Sequence, residues 1–195
     1  MTAGEFVPQD LDIYVTSDKI ATILVFLNEQ GYNIHLPPPS STRKQYPTST
    51  IVLTLKNRTG EKIDLIATTE PHVVHAITKF HSTCVMNYIS YNGIVCLYPE
   101  WTMRNKGFVR AGVVDQQSID KYRGRGFAMV YTSEELPGYE AEHKCGTHPC
   151  CPKARRELHD YATLFIPLDD EDLNIETEEK MRVGWVLQKM YTCHE

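Results

Sequence analysis

The sequence predicts an α/β (α+β) fold, a mixed β-sheet flanked by helices, with a small Cys/His-containing segment towards its C-terminal end. Three observations predict it. Strict two-residue alternation in Asp10-Leu11-Asp12-Ile13-Tyr14-Val15 marks a strand. Helical spacing follows at once, with Ile20, Ile23, Leu24 and Leu27 on one face. Two strand-like runs, 51–56 and 62–67, then flank the Gly-containing loop Asn57-Arg58-Thr59-Gly60-Glu61, which is the pattern of a hairpin.

Taken in order, the first strand turns Leu11, Ile13 and Val15 inward, and Ser17 stands where a helix N-cap belongs. Gly31 closes that helix, and 32–35 reads as a short second strand. Pro37-Pro38-Pro39 cannot join a ladder and reads as a loop. Pro71 opens a helix through Val74, Ile77 and Phe80, and the apolar run 83–89 reads as helical up to the Asn92-Gly93 turn. Strands are expected at 94–98 and 127–131, a helix from Pro152 with Ala154, Leu158, Tyr161, Ala162 and Phe165 on its apolar side, and a terminal helix over 184–190. The acidic run 169–172 reads as a surface loop, and a boundary near residue 135 separates a core, 1–135, from a C-terminal segment, 136–195.

The chain has 195 residues, 42% of them hydrophobic and 23% charged, which is an ordinary globular composition with room for a full core. A formal net charge of -5 excludes general attraction to nucleic-acid backbones. The N-terminal residues carry no secretory pattern, and no apolar run approaches the roughly 20 residues a spanning helix needs. Six cysteines are too few for a disulfide scaffold. The expectation is a cytoplasmic or nuclear protein, neither secreted nor membrane-bound.

Residues two apart on a strand project from one face, roughly 6.5 to 7 Å apart, so Asp10 and Asp12 point together. Adjacent carboxylates repel, and a divalent cation is the usual compensation. In Lys62-Ile63-Asp64-Leu65-Ile66-Ala67 the apolar residues Ile63, Leu65 and Ala67 share a face and leave Asp64 on the other. If this strand neighbours the first, Asp64 joins the pair, and three carboxylates suit Mg²⁺ or Mn²⁺.

The D-x-D strand followed by a third acidic strand residue resembles the polymerase-β-type nucleotidyltransferase superfamily. The runs Lys62-Ile63-Asp64-Leu65-Ile66 and Phe80-His81-Ser82-Thr83-Cys84-Val85-Met86-Asn87 are also similar to fungal nucleotidyltransferase-like proteins, so the likeness spans residues 10–131. The resemblance implies metal-dependent transfer of a nucleotidyl group from a nucleoside triphosphate to a hydroxyl acceptor. By that resemblance Asp10 and Asp12 bind the nucleotide-side metal, and Asp12 and Asp64 the metal that activates the acceptor. The family's Gly-Ser pair, on a helix before the D-x-D strand, is missing: nine residues precede Asp10, and Gly4 is followed by Glu5. The expectation is then a chain that continues upstream, or a site that holds a triphosphate poorly. The alternative function is a catalytically inactive binding module with a protein or nucleotide partner.

His143, Cys145, His148, Cys150 and Cys151 fall within nine residues, with His159 on the helix expected after them. Cys145, His148, Cys150 and His159 are candidate ligands for a structural Zn²⁺, although the spacing matches no standard template and a surface loop with free thiols and one buried cysteine is the preferred reading. Lys121-Tyr122-Arg123-Gly124-Arg125-Gly126 is basic and Gly-rich, so glycine-freed backbone amides with Arg123 and Arg125 suit phosphate or a carboxylate, the alternative being an exposed turn. Cys84 and Cys96 read as core residues, Trp101 and Trp185 as core or interface anchors, and His81 with Ser82 as no catalytic pair.

Overall fold

The computed structural model of the chain describes residues 8–36, 50–112, 116–136, 145–149, 151–168 and 183–187. It is a mixed α and β protein with several small sheets and few helices. The contacts divide it into two compact units, one ending at Ala76 and the other running from Ile77. The core expected over 1–135 therefore contributes to both.

The unit up to Ala76 is the one the alternation and helical spacing describe. Strand β1 (Asp10–Thr16) leads through a 3₁₀ turn (Ser17–Lys19) into helix α1 (Ile20–Glu29). Then come β2 (Asn33–Ile34), β3 (Thr50–Lys56) and β4 (Lys62–Thr68). The sheet order is β1-β4-β3-β2, with β1 parallel to β4 and the other neighbours antiparallel. Its apolar face buries Val15, Leu55, Ile63, Leu65 and Ala67 with Leu27 of α1, and Ile13, Ile20, Ile23 and Leu24 pack against them. Thr16 rather than Ser17 caps the entry turn, without a side-chain hydrogen bond.

The helix ends where the sequence places its stop. Tyr32 N donates to Leu27 O at 2.9 Å and Gly31 N to Asn28 O at 2.9 Å, while Gly31 takes φ 86°, a conformation glycine reaches without a Cβ penalty. Leu11 departs from expectation, at 56% exposed. A ten-residue helix is about 15 Å long and a seven-residue strand about 23 Å. Starting from the far end of β1, α1 covers Val15 and Ile13 before Leu11.

Beyond Ile77 the expectations fare less well. Helix α2 is only Val74–Ile77, because Val74 N turns to His72 Nδ1 at 3.2 Å and the residues after Pro71 form a turn. The run expected to be helical over 83–89 is a 3₁₀ turn (Thr83–Val85) and strand β5 (Asn87–Ile89). Side chains explain the change: Thr83 Oγ1 accepts from Phe108 N at 2.9 Å, and Asn87 Nδ2 donates to Cys84 O at 2.9 Å, which ends the turn. Strand β6 (Gly93–Cys96) pairs with β5, and the sheet is completed later by β10 (Leu164–Pro167), in the order β10-β6-β5. A Cβ on Gly93 would meet the Phe165 ring at 2.4 Å, so only glycine fits there.

Helix α3 (Pro99–Thr102) follows, then β7 (Lys106–Phe108), α4 (Gln116–Gly124) and β8 (Ala128–Val130), with β7 and β8 parallel. No helix stands over 152–165 among the described residues. Instead β9 (Arg156–Glu157) pairs with β11 (Gly184–Trp185), which also replaces the start of the expected terminal helix; residues 188–190 lie outside the described part, as do 37–39 and 169–172. The organiser is Arg156, 3% exposed. Its guanidinium forks onto the Asp160 carboxylate (Nη2 to Oδ1 2.8 Å), donates to Leu97 O at 3.0 Å, and lies 4.7 Å and 5.7 Å from the Tyr98 and Trp185 ring centroids. Asp160 also accepts from Glu157 N and Ala162 N, both at 3.1 Å, which is turn chemistry that overrides the helical stripe. Tyr161, assigned to the buried side of that stripe, is 85% exposed.

Cys84, Cys96, Trp101 and Trp185 are buried, as expected. No described helix is long and apolar enough to cross a membrane.

Candidate functional site

The parallel pairing of β1 with β4 decides where the carboxylates go. Its register sets Asp10 opposite Lys62, and Asp12 opposite Asp64. Alternation puts Asp10 and Asp12 on one face of β1, and Lys62 and Asp64 on the same face of β4. One oxygen from each of Asp10, Asp12 and Asp64 falls within 4.8 Å of the others, and among the described residues no other His, Cys, Asp or Glu trio gathers so closely.

The three acids are unequal. Asp10 and Asp12 are exposed, whereas Asp64 is 2% exposed in the middle of the sheet. Both Asp64 oxygens are held: Thr54 Oγ1, from the register position opposite on β3, donates to Oδ1 at 2.7 Å, and Lys62 Nζ donates to Oδ2 at 2.6 Å. Lys62 Nζ also lies 3.4 Å from Asp10 Oδ2. Burial works against the Lys62 charge, but the hydrogen bond and charge of Asp64, with help from Asp10, outweigh it and raise the ammonium pKa. Three carboxylates against one ammonium leave the group two charges negative.

Lys62 and Thr54 are the residues the sequence reading missed. Lys62 was within reach, since the alternation that pairs Asp10 with Asp12 also sets Lys62 on Asp64's face. Thr54 needs the order of strands, which no local pattern carries.

The other candidates do not join this site. Arg123 sits in the last turn of α4, bound to Asp120 Oδ1 at 3.1 Å and to Tyr131 OH at 3.2 Å. Arg125 lies over the Tyr122 ring at 5.0 Å. The glycine-freed amides expected here are in use: Arg125 N donates to Lys121 O, and Gly126 N to Arg123 O. A helix C-terminus turns carbonyls outward, which is the wrong polarity for phosphate.

Cys145 is exposed in a turn, His148 is half-buried in the same turn, and His159 is exposed in the turn after β9 rather than on a helix. Cys150 lies outside the described residues, and Cys145, His148 and His159 do not gather as a ligand trio. The structure instead brings Cys145 to Cys151, Sγ to Sγ 3.8 Å.

Comparison with protein-family models, curated proteins and solved structures finds no match to this chain.

Proposed function

We propose that this chain is a nucleotidyltransferase-like protein. On this reading Asp10, Asp12 and Asp64 hold Mg²⁺ or Mn²⁺, and a nucleotidyl group passes from a nucleoside triphosphate to a hydroxyl acceptor. The observation that supports it is the parallel register of β1 on β4, which sets Asp12 beside Asp64 and gathers the three carboxylates within 4.8 Å. An all-oxygen anionic donor set is the kind a small hard cation selects. When bound, the cation supplies charge stabilisation at the transferring phosphorus and makes a hydroxyl acidic.

The chain's own residues supply position. Thr54 and Lys62 orient the Asp64 carboxylate before any ligand arrives, which saves reorganisation at the reacting centre. Asp10 and Asp12 face solvent, where a polyphosphate has access. Lys62, between Asp10 and Asp64, keeps the acids together and offers a cation to a phosphate oxygen once a metal takes its place.

A second reading rests on the same lysine. Lys62 already compensates Asp64 and Asp10, so the cluster can be a settled ion-pair network within a catalytically inactive binding module. Calorimetric titration of Mg²⁺ with each nucleoside triphosphate into wild type and Asp12→Ala separates the two. Heat in wild type and none in the folded variant supports the metal–nucleotide site; no heat in either favours the inactive module.

A further inference from the structure

Cys145 and Cys151 bracket a tight turn, with one sulfur at the surface and the other buried at 2% exposure. The backbone fixes the buried one: Cys151 N donates to His148 O at 2.8 Å, Ala154 N to Cys151 O at 2.9 Å, and Gly146 N points at Cys151 Sγ at 3.3 Å. The sulfurs are 3.8 Å apart, in van der Waals contact. A disulfide needs about 2.05 Å, so the two sulfurs, already neighbours, must draw closer for a bond to form. His148 and Pro149, between the two cysteines, line a cleft of about 620 Å³ shared with Tyr98, Trp101, Arg104 and Tyr161.

We propose that Cys145 and Cys151 form an oxidation site, a dithiol that a small-molecule disulfide converts into an intrachain bond, fixing the cleft wall made by His148 and Pro149. The Cys145 thiolate attacks one sulfur of the oxidant, giving a mixed disulfide and releasing one thiol. Cys151 then attacks the Cys145 sulfur and expels the second thiol. The protons lost by the two cysteines end on the two released thiols, and two electrons pass to the oxidant's sulfur–sulfur bond. Accessibility assigns the order, with Cys145 as the entry point and Cys151 as the resolving thiol.

The test is to treat the full chain with oxidised glutathione and then count thiols after unfolding. Wild type should lose the two thiols of Cys145 and Cys151, identified by peptide mapping, and retain no glutathione at this pair. Cys150→Ser should still lose two thiols. Cys151→Ala should trap glutathione on Cys145, and Cys145→Ala, a surface change that leaves the fold intact, should form no bond at Cys151. Amide exchange at Gly146, Thr147 and His148 should slow on oxidation. The proposal is overturned if wild type keeps all its thiols, if it retains glutathione on Cys145, or if Cys150→Ser abolishes closure. It is equally overturned if the purified protein holds an equivalent of zinc on these thiols and oxidises only after chelation.

Discussion

Replacing Lys62 by Met tests the electrostatics of the acidic cluster most directly. The change keeps the aliphatic stem and removes a charge 2.6 Å from an Asp64 carboxylate whose side chain is only 3% exposed. Stripping one partner from a buried ion pair costs about 3–5 kcal/mol. Lys62 is 27% exposed and Asp64 keeps Thr54, so the loss should fall at or below the bottom of that range, about 2–3 kcal/mol. A cation able to occupy the carboxylates should offset it: at a hundred times its dissociation constant, a ligand of the folded state adds about 2.7 kcal/mol.

The assay is native-state hydrogen exchange at the β4 amides of Leu65 and Ile66, in chelator and in Mg²⁺. Both tryptophans, Trp101 and Trp185, belong to the unit beyond Ile77, so their fluorescence would report elsewhere. Opening free energies at β4 should drop by the stated amount in chelator and recover with Mg²⁺. A drop below about 0.5 kcal/mol would refute the claim that Asp64 depends on Lys62. A full drop that Mg²⁺ leaves untouched would refute the cation site while keeping the ion pair.

Three other outcomes follow from the same reasoning. Arg156→Met should destabilise the unit beyond Ile77 by about 3–4 kcal/mol in urea unfolding, since it strands Asp160 and removes the cation from two aromatic faces. Burial raises the Asp160 pKa, but the Arg156 hydrogen bonds and charge outweigh it and hold it below its ordinary value. That stability is therefore present above about pH 4 and lost as pH falls through the lowered pKa, and the Arg156→Met variant should lack this acid-dependent component. Burial pushes the Tyr98 phenol up to about 12 against an ordinary 10. Stability should then be complete below pH 10 and fall by about 2.7 kcal/mol as pH rises through 12, with Tyr98 among the last phenols in ultraviolet titration. Leu65→Ala should cost about 2–5 kcal/mol and Leu11→Ala under about 0.5, measured by urea unfolding followed by far-ultraviolet circular dichroism.

The readable part of this chain is the part whose side chains obey their local period. β1, α1, β3 and β4 bury Val15, Leu27, Leu55 and Leu65 on the faces that alternation and helical spacing assign, and Asp64 arrives beside Asp12 because β4 neighbours β1. The 152–165 segment misled because Ala154 and Leu158 are buried at helical spacing while Arg156 between them is buried too, held by Leu97, Tyr98 and Trp185 from distant segments. A local pattern holds no record of partners nearly sixty residues away. The 83–89 run failed for a related reason, since Thr83 serves the backbone of Phe108 rather than a helix of its own.

The place of β1 in its sheet gives the acidic residues a meaning apart from chemistry. Among the described strands it pairs only with β4, so it is the outermost described strand on that side, with an exposed Leu11 between two carboxylates. A bare rim strand invites another chain to dock alongside and propagate. Two like charges astride Leu11 oppose such self-stacking by repulsion. Variants that neutralise them should be checked for monodispersity by light scattering before any lost activity is ascribed to the site.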